Sequence, residues 1–169
     1  KLTEDLVEAS KASSGALNVE LQPTDVNVLL SQIEGEYQER LAACHLTLVT
    51  QPPAPGTMIQ ADSRLLSRVM DNLVSNVCKY AMENTRVYVT AAVRDGQAVI
   101  SFKNVSRDEL NISPDELMER FVRGDASRHS EGSGLGLSIA RSLVQLQGGT
   151  FALSIDADLF RADIVFPLI

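Results

Sequence analysis

The sequence predicts an α/β fold in which strands and helices mix in a single layer-on-layer unit. Three observations carry this. Helical runs with a one-sided apolar stripe alternate with short period-two segments, an Asp95-Gly96 pair sits between two such segments, and 169 residues of 44% hydrophobic content suffice for one core.

The elements follow in order. Residues 1–14 place Leu2, Leu6, Ala9 and Ala12 at helical spacing, and Gly15 is a natural stop. No cap precedes that helix, so the chain is expected to be a piece of a longer protein. "LNVEL" (17–21) alternates as a strand, and Pro23-Thr24-Asp25 introduces a long helix with Val26, Leu29, Leu30, Ile33, Tyr37 and Leu41 on one side. "HLTLVT" and "TMIQA" flank a proline-rich loop at 51–56 and read as strands. Asp62 caps the longest helical pattern, expected to run to about Asn84. "TRVYVTAAV" and "QAVISFKN" form a hairpin about Asp95-Gly96. Ser113-Pro114-Asp115-Glu116 starts a short helix, with a capping hydroxyl and a proline at the first helical position. A final helix, roughly 135–147, ends at Gly148-Gly149, and "TFALSI" and "RADIVF" close the chain as strands about the 156–158 turn.

Composition narrows the function classes. A formal charge of −7 argues against a nucleic-acid binder, which would cluster Lys and Arg. No run reaches the ~18 apolar residues of a membrane span, and no signal-peptide pattern opens the chain. Cys44 and Cys78 lack metal-ligand spacing and read as buried free thiols of a reducing compartment, with no role assigned.

Two stretches carry chemistry. "EGSGLGLSIARSL" (131–143) is a glycine loop opening a helix, where bare N–H groups and the positive helix end suit phosphate; it is neither a P-loop nor G-x-G-x-x-G. In the helix from Asp62, the apolar arc is built by Leu65, Leu66, Val69, Met70, Leu73 and Val77. On the helical wheel Asn76 falls between Leu65 and Val69, Asn72 lies at the arc's edge, and Tyr80 sits near its middle. Two carboxamides are thus expected to face the interior, where each needs a partner. That partner is either neighbouring backbone and ordered water, or a ligand.

"NLVSNVCKY" (72–80), "ERFVRGDASR" (119–128) and "EGSGLGLSIA" (131–140), in that order, resemble the N, F and second glycine boxes of sensor histidine kinases, members of the GHKL superfamily with gyrase-type and chaperone ATPases. The resemblance covers residues 17–168 and implies a two-layer α/β sandwich of the GHKL (Bergerat) type, a mixed sheet packed against three helices and preceded by a short helix. Residues 1–15 resemble the end of a dimerisation and phosphoacceptor helix, leaving 16–169 as the catalytic domain.

By that resemblance the cofactors are ATP and Mg²⁺. Asn76 would give its carbonyl oxygen to the metal and Asn72 would support the ion's waters or a phosphate. Lys79 would contact phosphate, Tyr80 would lie against adenine, and Arg123 would reach the γ-phosphate beneath a lid spanning about 122–134. Phe121 of the F box, and Gly132, Gly134, Leu135, Gly136 and Leu137 of the second glycine box, would also bind nucleotide. Asn72, Lys79 and Arg123 would serve catalysis. In hydrolytic relatives a glutamate at the position of Asn72 activates water. An amide cannot accept that proton, which favours transfer to histidine. Neither His45 nor His129 sits in the family's acceptor motif, so the reactive histidine is expected upstream of Lys1.

The first glycine box, D-x-G-x-G in the family, corresponds to Asn104-Val105-Ser106-Arg107-Asp108, without either glycine. Alternation still puts Asn104 on the face of Ile100 and Phe102, where its oxygen can accept the adenine amino proton with about tenfold weaker affinity than a carboxylate. The turn after it is expected to take another path. The implied partners are the protein's own dimerisation domain and a response regulator, with no nucleic acid or membrane contact by this fragment; the implied place is a cytoplasmic domain of a membrane-anchored parent. Rival readings are a regulatory module that keeps the fold without turnover, and an anti-sigma-factor kinase acting on serine.

Overall fold

A computed structural model of the chain describes residues 18–110, 113–123 and 136–169, with the backbone path alone for 119–123. The opening helix expected over 1–14 lies outside the described residues. So does the lid from 124 onward, including Gly132, Gly134 and Leu135.

The elements are β1 (Gln22–Asp25), α1 (Val26–Ala43), β2 (Leu46–Gln51), β3 (Met58–Ala61), α2 (Ser63–Tyr80), β4 (Thr85–Arg94), β5 (Gln97–Val105), α3 (Pro114–Arg123), α4 (Gly136–Leu146), β6 (Thr150–Asp156) and β7 (Leu159–Pro167). Five strands form one sheet in the order β2-β4-β5-β7-β6. β2 runs parallel to β4 and the other pairs are antiparallel, so the sheet is mixed. β1 and β3 form a separate antiparallel ribbon. Alternate residues such as Val87 and Val89 of β4, Ile100 and Phe102 of β5, and Ile164 and Phe166 of β7 bury one sheet face against the helices. This is the expected two-layer sandwich.

Local chemistry explains most boundaries. Asp25 and Asp62 cap α1 and α2 through side-chain oxygens that accept from the first-turn N–H groups. The predicted α1 stripe is buried in full. Asp95 (φ 50°) and Gly96 (φ 73°) make the left-handed turn that matches hairpin twist. The Ser113 hydroxyl accepts from Glu116 N–H at 3.2 Å and starts α3. Gly148 (φ 86°) ends α4, and Gly149 could not carry a Cβ without meeting Val144 Cγ1 and Val165 O at 2.9 Å.

Two expectations are corrected. The first strand is Gln22–Asp25 rather than 17–21, because register with β3 begins at Gln22 opposite Ala61. Glu20 N–H instead donates to Asp62 Oδ2 at 2.9 Å, and Pro23 is accommodated because the ribbon has only two strands. Helix α2 stops at Tyr80, four residues early, because Ala81 turns extended (ψ 146°) and bridges Ser106, and Asn84 is left-handed. Among the described residues no helix is long and apolar enough to cross a membrane.

Candidate functional site

Helix α2 brings the polar residues singled out above to the interlayer space. Asn72 is 8% exposed, and its Nδ2 has no hydrogen-bond partner among the described residues. Asn76, Lys79 and Tyr80 are half-buried, with Tyr80 packed against the core and both Lys79 and Tyr80 engaged in further contacts. The depth order reverses the helical-wheel expectation, which put Asn76 deeper. The reason is tertiary: α4 packs along α2, and the ideal Cβ position of Gly136 lies 4.0 Å from Asn72 O. The α2 face that the wheel leaves at the edge is therefore covered. Helix α2 buries Leu65, Leu66, Val69, Met70, Leu73, Val74 and Val77 along with Asn72.

Of the second glycine box, Gly136 and Leu137 are described. Leu137 is buried at 1% exposure, and Gly136 opens α4 beside Asn72. No other described atom crowds a Cβ there, so packing does not require the glycine. The positive end of the α4 dipole and its first N–H groups thus lie next to the main chain of Asn72, and a helix N-terminus of this kind suits an anion. Phe121 and Arg123 lie in the last turn of α3, and their side chains are outside the described set.

Across the layer, Asn104 sits on the inner face of β5 in register with Phe160, 3% exposed, with Oδ1 lacking a partner among the described residues. Two buried polar atoms on facing elements are therefore unsatisfied, against a cost of about 1–3 kcal/mol each. No residue from 104 to 108 has positive φ, so the missing glycines carry no backbone strain. Instead the segment is laced to the end of α2. Ser106 N–H donates to Asp158 O at 2.7 Å, Met82 N–H to Val105 O at 2.8 Å, and Arg107 N–H to Tyr80 O at 2.8 Å.

Sequence reasoning missed Arg107 as a positioning residue. Its guanidinium donates to Lys79 O at 3.1 Å, placing a cation at the negative end of α2 and fixing the turn that carries Lys79 and Tyr80. The signal available was a basic residue inside a glycine box. The two thiols are half-buried rather than buried as expected, and they face one another: burial, followed by the hydrogen bond and charge of Cys44, pushes Cys78 up to about 12. His45 is exposed in the left-handed turn after α1. No group of three or more His, Cys, Asp or Glu that could hold a metal occurs among the described residues.

Comparison with known proteins places this geometry. Residues 61–164 match the family model described as histidine kinase-, DNA gyrase B-, and HSP90-like ATPase. The chain is 33% identical over 155 residues to the signal transduction histidine-protein kinase BaeS of Escherichia coli (strain K12), covering 88% of this chain and 32% of that protein. It is 30% identical over 154 residues to the sensor histidine kinase HprS of the same organism, covering 89% of this chain and 32% of that protein. The chain thus spans about a third of the length of these relatives. The solved structure of full-length ShkA in complex with AMPPNP shares the fold, with a TM-score of 0.80 at 24% identity over 99% of this chain and 35% of that one. Since the family match runs from the end of β3 into β7 and takes in both orphaned carboxamides, the chain belongs to the histidine kinase-, DNA gyrase B- and HSP90-like ATPase family, and the relatives named above are histidine kinases.

Proposed function

We propose that this chain binds Mg-ATP and transfers the γ-phosphoryl group to a histidine carried outside it, as the catalytic domain of a two-component sensor kinase. The observation that carries the reading is the pair of buried carboxamide atoms without a partner among the described residues, Asn72 Nδ2 on helix α2 and Asn104 Oδ1 on strand β5. A folded protein retains such groups where a ligand completes them.

The donor set fits a magnesium nucleotide. Carboxamide oxygens are hard, neutral ligands, so Asn76 would hold the ion weakly by itself and well when phosphate oxygens accompany it. A bound Mg²⁺ supplies charge neutralisation at the phosphates. Asn72, beside the α4 N-terminus, would donate to a phosphate oxygen or to water on the ion. Lys79 and Arg123 would offset charge developing on the transferring group, Tyr80 would flank the base, and Asn104 would accept from its amino group. Phe121, Gly132, Gly134, Leu135, Gly136 and Leu137 complete the nucleotide contacts in this reading. With an amide at 72 the chain has no carboxylate there to activate water, which favours a nucleophilic imidazole acceptor over hydrolysis. The acceptor domain of the same protein and then a response regulator would be its partners, in the cytoplasm of a membrane-anchored parent.

The test is a titration of a fluorescent ATP analogue with and without Mg²⁺, followed by addition of labelled ATP and a dimerisation-helix fragment bearing a phosphoacceptor histidine. Saturable, Mg²⁺-dependent binding and acid-labile label on the fragment are expected. Absence of binding at millimolar nucleotide would overturn the reading in favour of a module without turnover.

A further inference from the structure

We infer that Asn104 lets the base subsite accept 6-oxopurine nucleoside triphosphates as readily as adenine ones. The inference rests on the nucleotide reading above and concerns which nucleotide the site selects.

Asn104 is held by its main chain. It lies in register with Phe160 on one side, and Ser106, two residues on, is bridged to Ala81 and bonded to Asp158. Its side chain is different. It is 3% exposed, and among the described residues Oδ1 has no partner and no hydrogen bond fixes which way the amide faces. The terminal amide torsion is broad and roughly two-fold, so the oxygen and nitrogen exchange places by a turn of about 180°.

That freedom decides base choice. A carboxylate is an acceptor only: it accepts from the exocyclic amino group of adenine and repels the O6 of hypoxanthine or guanine. A carboxamide presents an acceptor beside a donor. In one orientation Oδ1 accepts from adenine N6–H while Nδ2 donates to N1. Turned over, Nδ2 donates to O6 of a 6-oxopurine while Oδ1 accepts from its N1–H. Either base gives Oδ1 a donor and Nδ2 an acceptor, so the oxygen that lacks a partner gains one in both cases. Sites that discriminate strongly do so by stranding a buried group opposite the wrong ligand, and Asn104 removes that penalty.

The test is displacement of a fluorescent ATP analogue by Mg-ATP and by Mg-ITP, which differs from ATP at the read edge alone, using the wild-type chain and Asn104→Asp. The wild type is expected to bind the two within about threefold of one another, and the variant to prefer ATP by ~tenfold or more. A wild type that binds ATP but disfavours ITP by ~30-fold or more would overturn the inference and leave the nucleotide reading standing. An unchanged ratio in Asn104→Asp would also overturn it. Failure of both nucleotides to bind would overturn the reading on which it rests. Should the variant's buried carboxylate unfold the sheet, seen as a lost thermal transition, the wild-type ratio alone decides.

Discussion

Gln147 Oε1 accepts the backbone N–H of Asp62 at 2.8 Å, joining the end of α4 to the cap of α2 across 85 residues of sequence. The other end of the same amide donates to Leu143 O at 2.9 Å, and the side chain is 3% exposed. Both helices that flank the candidate site are thus registered by one buried amide. Replacing it with leucine strands the Asp62 N–H and the Leu143 carbonyl in an apolar setting. Gln147→Leu is expected to destabilise the domain by about 1–3 kcal/mol in urea denaturation. A change under ~0.5 kcal/mol would mean that water takes over both bonds.

Asp62 gives the acid side of the stability profile. It is 2% exposed, and burial by itself raises its pKa. The N–H groups of Glu20, Leu65 and Arg64, with the Arg64 charge, outweigh burial and hold the carboxyl below its ordinary range. A folded pKa below the unfolded one stabilises at all pH above the unfolded value, and the contribution is lost as pH falls through the folded value. The wild type should therefore lose stability progressively below about pH 4. Asp62→Asn should be less stable at neutral pH by ~1 kcal/mol and show a shallower acid limb. Parallel acid limbs in chemical denaturation would sink the assignment.

Cys78 governs the alkaline side. Burial, then the hydrogen bond with Cys44 and its charge, push the thiol up to about 12, so the fold favours the protonated form. The unfolded thiol ionises first, the unfolded chain then binds fewer protons, and stability falls as pH rises above about 8.5–9. Tyr37, also raised to about 12 by burial and by the nearby Glu36 and Asp71, adds the same trend from about pH 10 upward. Cys78→Ala should remove the loss between roughly pH 9 and 10 and leave above pH 10 only the share that Tyr37 adds. A decline in that window unaltered by the substitution would show that other groups cause it.

What the sequence disclosed tracks how local each cause is. The caps at Asp25 and Asp62, the Asp95-Gly96 turn, the stop at Gly148 and the α1 stripe all depend on neighbours a few residues away, and each is found as read. The first strand, the end of α2 and the depth of Asn72 depend on distant partners: Ala61 opposite Gln22, Ser106 opposite Ala81, and α4 along α2. A helical wheel has no term for a second helix, so it ranked Asn76 below Asn72. Asn104 was legible because strand alternation is local. The lacing of Arg107 to Lys79 O and Tyr80 O was not, because it joins two segments that only the folded sheet brings together.

Two glycines with opposite surroundings test packing against propensity. Gly35 lies on the exposed side of α1, where an added Cβ meets nothing within 4 Å. Gly35→Ala should stabilise by about 0.5–1 kcal/mol through the unfolded chain and helix propensity. At Gly149 the same methyl runs into Val144 Cγ1 and the fixed Val165 carbonyl, both at 2.9 Å. Gly149→Ala should cost about 1–3 kcal/mol. Thermal melts of the two variants should move in opposite directions, and movement in the same direction would contradict the packing at one of them.

Asn72 separates function from stability. Its Nδ2 is buried with no partner among the described residues, so in the ligand-free domain the residue is a liability that leucine, of similar shape, removes. Asn72→Leu is therefore expected to raise apo stability by up to ~1–3 kcal/mol while weakening Mg²⁺-dependent nucleotide binding by ~tenfold or more. Gln147→Leu, a parallel change of a buried amide that is fully bonded, should do the reverse: lower stability and alter nucleotide affinity far less. Paired urea melts and nucleotide titrations on both variants make the comparison. If Asn72→Leu destabilises the domain as Gln147→Leu does, then the Asn72 amide is a structural partner within the fold and the site must be sought elsewhere.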